Sequence, residues 1–293
     1  MHNYFFTFLL ISLSYSQIQY GGTPNYLINT DQVSKIDIDQ TKLIDNDLHP
    51  MVLQYANEYL VDIDVKDISK KITSNNKIIH YLSVKSSNAK SIGLVFSEFY
   101  LTQNSELYIY SEDRSMYIGK FNSNNNNPSG SLETAVVKGE SVIIELSVPI
   151  TELNRVKLHL YSVMHDFLDL MKFDKQIISD RVDCNDNVSC SSANAWSDEV
   201  DAVVLVTGNG GVCSAAVVNN TAYDLTPYIL YAAHCNSGGN NVVYFNYQSN
   251  TCNGNSPGNY NTMSGTQNLA IGNFNNNDYA LIRLYNNIPS SYN

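Results

Sequence analysis

The sequence predicts a mainly β protein with two domains, a β-sandwich-like N-terminal region and a small antiparallel barrel after it. Its 293 residues are 43% hydrophobic, which is enough for two cores, but only 15% charged. Asn, Ser, Thr, Gly and Tyr are plentiful, a composition typical of strands joined by turns rather than of helical bundles. The apolar residues fall into short runs separated by turn-rich stretches, the spacing expected of an all-β chain.

The N-terminal region contains four short apolar runs that we predict to be strands. They occupy residues 78–84, 91–96, 106–110 and 141–146. Turn-rich stretches such as residues 122–130 lie between them, and short strands at regular spacing predict a β-sandwich. We expect one short helix within residues 47–62.

The composition changes near residue 180. Beyond Cys184 there is no lysine, and Arg283 is the single arginine. Apolar runs continue at residues 200–207, 212–218, 228–233, 241–247 and 279–285. Loops rich in Gly and Asn separate these runs, and five or six strands without a clear helix predict a small antiparallel barrel.

Residues 1–16 are predicted to be a secretory signal peptide. The apolar run at residues 4–13 is too short to cross a bilayer, and the small residues that follow it suit signal cleavage. A buried N-terminal strand is the alternative, because the positive charge that usually begins a signal is weak. The predicted organisation is the signal, a β-rich region at 17–178 and a second domain at 179–293, in a protein secreted to the extracellular space or the periplasm.

Charge and cysteine content exclude several classes of function. The net charge of −11, with no basic stripe to neutralise phosphates, argues against nucleic-acid binding, and no segment after the signal suits a membrane helix. The five cysteines all lie in the last third of the chain: Cys184, Cys190, Cys213, Cys235 and Cys252. In an exported chain they predict disulfides, and without a CxxC pair or a histidine cluster we expect no metal or cofactor. The odd number leaves one thiol unpaired, which indicates a partner beyond this sequence.

Residues 228–235 carry the most informative pattern, an apolar strand that ends in two alanines, His234 and Cys235. General-base catalysis needs an imidazole fixed at a strand end beside a cleft, and small alanines let the chain pack behind the ring. Cys213 lies on the preceding predicted strand within reach of Cys235, and this loop closure would stabilise the fold by about 3 kcal/mol. A lone histidine at a strand end is usually a surface or core residue, but its neighbours here favour catalysis.

A second pattern begins at Asp278, which enters the alternating apolar run at residues 279–285. A carboxylate there is poorly placed for burial unless it has a partner. A histidine Nδ1–H would be such a partner, because it would hold the imidazole in its working tautomer. A turn aspartate that caps a strand is the alternative. If His234 and Asp278 act together, they should meet within hydrogen-bonding distance on one rim of the barrel.

These two patterns resemble the trypsin/chymotrypsin clan of serine peptidases, where a Thr-Ala-Ala-His-Cys-like stretch carries the base and an Asp-x-Ala-Leu-like stretch carries the orienting acid. The closer resemblance is to the bacterial lysyl endopeptidase group, through residues 213–221 and through residues 242–248 with Cys252. Ala215 departs from the glycine that is usual in that group. The resemblance covers residues 180–285 and, weakly, residues 47–166.

The resemblance implies a serine endopeptidase in which His234 is the general base and Asp278 orients it. It also implies the disulfides Cys213–Cys235 and Cys190–Cys252. Residues 179–293 would then be the first barrel of a chymotrypsin-like two-barrel fold, with the second barrel missing and the partner of Cys184 in it. The resemblance implies protein or peptide substrates, which this group cleaves after Lys. It implies neither a cofactor nor a metal.

The nucleophile that the resemblance implies is a serine in a Gly-x-Ser-Gly motif well after the aspartate. Fifteen residues follow Asp278, and none forms that motif, so we expect the chain as given to be inactive. Residues 254–258 fit the Gly-x-Ser-x-Gly pattern of α/β-hydrolases, but that fold needs a following helix and a later histidine, and no histidine follows His234. Ser214 and Ser264 have no better claim.

Residues 17–178 are interpreted as a pro-region that contacts the protease domain and either assists folding or blocks the cleft. The absence of lysine beyond Cys184 fits a Lys-specific protease that avoids self-digestion, and we hypothesise maturation after Lys175. The alternative is a secreted β-rich binding protein or pseudoprotease that keeps the scaffold without catalysis. A Gly-x-Ser-Gly motif further along the reading frame would favour the protease.

Overall fold

The computed structural model describes residues 16–17, 22–172, 186–254, 257–258 and 260–288. Within them the protein is mainly β, as predicted. The predicted signal apart from its last residue, Lys175, Cys184 and Ser256 lie outside the described residues. Within the described ranges, no helix combines the length and the apolar character needed to cross a membrane.

The strands of the N-terminal region are, in chain order, β1 (Ser16–Gln17), β2 (Ser34–Asp37), β3 (Leu43–Ile44), β4 (Leu53–Gln54), β5 (Ala56–Asp64), β6 (Lys70–Ser74), β7 (Lys77–Lys85), β8 (Ser91–Tyr100), β9 (Glu106–Ser111), β10 (Tyr117–Phe121), β11 (Leu132–Glu133), β12 (Val137–Lys138), β13 (Ser141–Pro149) and β14 (Lys157–Asp166). A four-residue helix, α1 (Val65–Ile68), and the 3₁₀ turns Thr30–Gln32, Ser123–Asn125 and Ile150–Glu152 complete the region. The four predicted strands are therefore confirmed as β7, β8, β9 and β13.

Two sheets of this region pack face to face as a sandwich. One has the order β10-β9-β13-β7-β2, with β6 also on β7, and the other has the order β11-β8-β14-β5-β3, with β12 on β8. Alternate side chains of each strand point into one shared core; Ile144 and Leu146 of β13 meet Leu94 of β8 and Leu160 of β14 there, all fully buried. This alternation explains why β-branched and leucine residues at every second position specify the sandwich.

The C-terminal strands are β15 (Val203–Gly208), β16 (Gly211–Val218), β17 (Tyr228–Tyr231), β18 (Val242–Phe245), β19 (Asn261–Ser264), β20 (Thr266–Ile271) and β21 (Ala280–Leu284). Together with β1 and β4 they form one sheet with the order β1-β19-β18-β15-β16-β17-β21-β20, in which β4 pairs with β16. The sheet encloses a second core with Val206, Ile229, Val243 and Ile282 at its centre. This half-barrel agrees with the predicted fold class.

Two local predictions were wrong. Residues 47–62 hold no helix but contain β4 and most of β5, because β5 lies between β14 and β3 and is fixed by strand pairing. Residues 200–202 belong to a short helix, α2 (Ser197–Ala202), that follows the 3₁₀ turn Ser191–Trp196. The acidic residues Asp198 and Glu199 lie in the first turn of α2, where the helix dipole favours them.

The N-terminal region contacts the half-barrel through backbone pairing. In β4, Leu53 and Gln54 are paired with Val212 and Gly211 of β16, and the backbone N–H groups of Tyr55 and Ala56 both donate to the carbonyl of Gly210. Gly210 has a φ of +80°, and a Cβ at this position would lie 2.4 Å from the carbonyl oxygen of Ala56. Only glycine allows this close approach.

Candidate active site

His234 lies where β17 ends. The strand gives way to a one-turn 3₁₀ helix, Ala233–Cys235, that follows Ala232 directly. The N–H of Cys235 donates to the carbonyl of Ala232 over 3.1 Å, and the N–H of Asn236 donates to that of Ala233 over 3.0 Å. These two bonds close a tight turn, and the turn fixes the direction in which the imidazole leaves the sheet.

Asp278 reaches the same place from the neighbouring strand. β17 and β21 are antiparallel, and Tyr231 at the end of β17 is paired with Ala280 at the start of β21. Residues just after β17 therefore lie beside residues just before β21, which is why His234 and Asp278 meet although they are far apart in the chain. The sequence predicted each residue at a strand end, and strand pairing brings the two ends together.

The two residues are joined by two hydrogen bonds, both to the carboxylate of Asp278. The Nδ1 of His234 lies 2.6 Å from Oδ2 of Asp278, and the backbone N–H of His234 donates to Oδ1 over 3.0 Å. Only 12% of the imidazole side chain and 28% of the carboxylate side chain are exposed. Because the carboxylate accepts at Nδ1, that nitrogen carries the proton and Nε2 is left to accept one. This is the arrangement that a general base requires.

The environment of Asp278 favours its ionised form. Desolvation raises the pKa of this carboxyl, but the hydrogen bonds from the imidazole and the backbone of His234, together with the attraction of the imidazolium, more than offset it. The net pKa lies below the usual value of 3.8. Asp278 is therefore a carboxylate at neutral pH, able to orient the imidazole and to stabilise its protonated form.

Both disulfide pairings implied by the resemblance are present in the structure. Cys213 of β16 is bonded to Cys235, next to His234, and Cys190 is bonded to Cys252. The sulfurs of Cys213 and Cys235 and the imidazole of His234 lie within 4.8 Å of one another. They do not form a metal-binding set, because sulfurs in a disulfide are not thiolate ligands.

Two aromatic side chains surround the imidazole, and sequence reasoning missed both. The ring of Phe274 meets His234 edge-on with 5.8 Å between centroids. The ring of His49, from the N-terminal region, lies 5.3 Å from His234 and 4.2 Å from Phe274. Phe274 was detectable as a large apolar residue in an Asn-rich loop just before Asp278. His49 gave no local signal, because only the contact between the two regions brings it here.

Two other serine–histidine pairs occur in the N-terminal region. Ser69 bonds to Nδ1 of His80 over 2.8 Å, and Ser86 bonds to Nδ1 of His165 over 2.7 Å. All four residues are buried. Burial and the nearby lysines lower the pKa of His80 to about 4, and its Nε2 has no hydrogen-bond partner among the described residues. The described side-chain hydrogen bond of each histidine is made to a serine rather than to a carboxylate such as Asp278, and we assign both pairs to packing.

Ser214 and Ser264, weighed as nucleophiles from the sequence, lie on β16 and β19. The described side-chain hydrogen bond of the His234 imidazole is made to Asp278 instead of to either serine. The structure therefore joins the predicted base to its predicted orienter.

A comparison with protein families is consistent with this geometry. Residues 178–293 match the family model described as lysyl endopeptidase, C-terminal domain. The matched part contains His234, Asp278 and both disulfides. This portion of the chain is therefore related to the lysyl endopeptidases, and at this coarse level to serine endopeptidases.

Proposed function

We propose that the chain is the precursor of a secreted serine endopeptidase in which His234 is the general base and Asp278 is its orienter. The observation that carries the proposal is the double hydrogen bond between these residues, with 2.6 Å between Nδ1 and Oδ2. The match of residues 178–293 to the lysyl endopeptidase C-terminal domain supports it independently. In the precursor, residues 1–16 are the signal and residues 17–178 are the pro-region.

In the proposed reaction, Nε2 of His234 takes the proton of a serine hydroxyl as the serine oxygen attacks a peptide carbonyl. Asp278 holds Nδ1–H and stabilises the imidazolium. The imidazolium then gives its proton to the leaving amine, and the peptide C–N bond breaks to leave an acyl-enzyme. Water, deprotonated by His234, hydrolyses the acyl-enzyme. None of these steps needs a cofactor.

We do not assign the proposed serine to any residue of 1–293. Residues 279–293 contain no Gly-x-Ser-Gly motif, and we propose that residues 1–293 alone do not hydrolyse peptides. Removal of one member of such a triad typically reduces kcat by several orders of magnitude. The nucleophile, the oxyanion hole and the specificity pocket are proposed to belong to a second barrel.

Cleavage after lysine and extracellular maturation are further parts of the proposal. The family match supports a lysine preference, and so does the absence of lysine beyond Cys184. Two disulfides within the described residues suit an oxidising compartment. The pairing of β4 with β16 supports contact between the pro-region and the protease domain. Maturation after Lys175 would be tested by N-terminal sequencing of the secreted protein.

The decisive experiment uses protein expressed from the complete reading frame. A serine-directed fluorophosphonate probe should label it, and a fluorogenic peptide with Lys before the scissile bond should be hydrolysed. His234→Ala should abolish both signals, and Asp278→Asn should reduce hydrolysis by several orders of magnitude. A stable, folded product without labelling would reject the protease and favour a non-catalytic binding protein.

A further inference from the structure

We infer that residues 46–54 form an internal cover that closes over the imidazole of His234 and must move before a peptide can be hydrolysed there. The inference concerns regulation of the proposed catalytic site and rests on the proposed function for its biological meaning. Its structural content, that these residues shield His234, stands on contacts that can be tested without catalysis. We call residues 46–54 the cover segment.

The cover segment fills an open strand edge beside His234. β15 pairs with β16 along the stretch from Gly211 to Ala216, so β4 and β17 share the opposite edge of β16. β17 pairs with residues 216–218 and then leaves the sheet in the turn that carries His234. β4 takes the part of the edge left vacant, at Gly211 and Val212. Backbone pairing of an extended segment to a sheet edge is a common mode of peptide binding, here made within one chain.

The ring of His49 is held against the active-site rings by its own turn. The N–H of Met51 donates to Nδ1 of His49 over 3.2 Å, and the N–H of Val52 donates to the carbonyl of His49 over 2.9 Å. Both bonds are local and fix the direction of the His49 side chain. The ring then lies 4.2 Å from Phe274 and 5.3 Å from His234. These three rings form one cluster, and the imidazole side chain is only 12% exposed.

Both ends of the cover segment are anchored to the rest of the molecule. At its start, the side-chain amide of Asn46 donates to Glu58 of the sandwich over 2.7 Å and to the carbonyl of Asn209 of the half-barrel over 2.9 Å. Near its end, Val52 packs directly on Gly211, where an added Cβ would lie 2.6 Å from Val52 Cγ1. Between the anchors, Met51 is exposed. A segment held at both ends and pressed against His234 in its middle has the form of a cover.

Attack on a peptide carbonyl requires the substrate and the serine to approach the imidazole within hydrogen-bonding distance. The ring of His49 lies 5.3 Å from that of His234, and in the proposal it takes up part of the space that a bound peptide would need. Opening the cover requires loss of the β4–β16 pairing, of the His49 contacts and of the anchors at Asn46 and Val52. These contacts are few and lie near the surface, so opening by a local motion is within the range of free energies known for surface segments.

The test is chemical modification of His234 in the full chain with diethyl pyrocarbonate, followed by peptide mapping with mass spectrometry. In His49→Ala, which removes the ring but leaves the backbone pairing, the modification rate of His234 should rise about fivefold or more, the ratio expected for loss of a contact of ordinary strength. Met51→Ala, a change at an exposed residue of the same turn, should leave the rate as in the parent chain. His159, on β14 of the sandwich, serves as an internal standard for the modification rate.

A second variant tests whether the effect depends on the cover segment as a whole and not only on the side chain at residue 49. Asn46→Ala removes the anchor and should also raise the modification rate of His234, with His159 unchanged. Equal rates in the parent chain, His49→Ala and Asn46→Ala would overturn the cover. A rise in Met51→Ala as large as in His49→Ala would overturn it too. Because the readout needs no turnover, a failure of the proposed protease function would leave this result intact, and the reverse also holds.

Discussion

His234 donates twice to Asp278, from its backbone N–H and from its imidazole Nδ1. One carboxylate therefore fixes both the turn that carries the ring and the ring itself. The backbone bond depends only on the fold, whereas the imidazole bond also depends on the side chain. A substitution of the histidine separates the two contributions.

His234→Ala should raise the pKa of Asp278 toward its usual value of 3.8, because the imidazole hydrogen bond and charge are lost while desolvation remains. In the parent chain the folded pKa lies below the unfolded value. The resulting stability is therefore present above about pH 4 and is lost as the pH falls through the lowered folded pKa. Side-chain carboxyl ¹³C NMR titration measures the pKa directly.

The control for this titration is Asp224, whose pKa is lowered to about 2 by hydrogen bonds from Thr226 and Asn220. It is independent of His234 and should titrate identically in both proteins. An Asp278 pKa that does not move in His234→Ala would mean that the backbone N–H alone holds the carboxylate, and the imidazole would then not be oriented by it.

The two disulfides should differ in what their loss changes. In the chain-entropy view each stabilises the fold by about 3–4 kcal/mol, the longer loop by roughly 1 kcal/mol more; the separations are 62 residues for Cys190–Cys252 and 22 residues for Cys213–Cys235. The double variant C190A/C252A should therefore lower the free energy of unfolding more than C213A/C235A. Urea unfolding followed by circular dichroism gives both values.

The shorter disulfide should matter more for the active site. Cys235 is the last residue of the 3₁₀ turn that carries His234, so C213A/C235A should shift the Asp278 pKa upward, and C190A/C252A should not. The same NMR titration serves as the measurement. An Asp278 pKa that stays lowered in C213A/C235A would show that strand pairing alone keeps the site assembled.

A site residue could be predicted from the sequence where a local pattern marks it, and not where only a long-range contact places it. His234 and Asp278 are marked by their neighbours, because a strand end followed by Ala-Ala-His-Cys and a carboxylate before an apolar alternation are local patterns. His49 is not, since its role comes from docking of two regions that no local pattern describes. Phe274 lies between these cases, near the site in sequence but in an Asn-rich loop that resembles a solvent loop.

The strands, like the site residues, could be predicted where the pattern is local and not where long-range pairing decides. Strands such as β7 and β13 are long, apolar and centrally paired, so their composition alone specified them. β19 and β20 were missed because residues 261–264 hold a single apolar residue and residues 266–268 are polar, and both are strands through pairing with β18 and β21. β5 was mistaken for part of a helix because its charged residues obscure the alternation, while its pairing with β14 decides the conformation.

Glu133→Gln should stabilise the protein at neutral pH. Glu133 is fully buried, and desolvation, followed by the negative charge of Glu58, raises its pKa well above 4.5, against a smaller effect of the Asn209 N–H. With the folded pKa raised, the stability of the parent chain falls as the pH rises above 4.5 toward the folded pKa. The variant does not titrate. Its thermal midpoint should exceed that of the parent by about 2–4 °C at pH 7 and match it near pH 4.

Glu140→Gln is the matched control, because the pKa of Glu140 is shifted in the opposite direction. Glu140 is exposed, and the Asn88 N–H and the Lys85 charge lower its pKa, so neutralisation should give no gain at pH 7. A thermal midpoint of Glu133→Gln equal to that of the parent chain at pH 7 would mean that Glu133 ionises without penalty, contrary to its burial between the sandwich and the half-barrel.

Gly210→Ala should weaken the contact between the two regions more than any single side-chain truncation there. Gly210 has a φ of +80°, and a Cβ would lie 2.4 Å from the Ala56 carbonyl oxygen, so the variant combines backbone strain with a clash.

Gly130→Ala is matched for the backbone strain alone, because Gly130 has a φ of +66° and no atom within 4 Å of an added Cβ. Strain at either site costs about 1–2 kcal/mol, and the clash should add to it only at 210. Relief of the clash requires β4 and the start of β5 to move away from β16, so Gly210→Ala alone should accelerate modification of His234. Equal unfolding free energies for the two variants would contradict the close approach of Ala56 to the half-barrel.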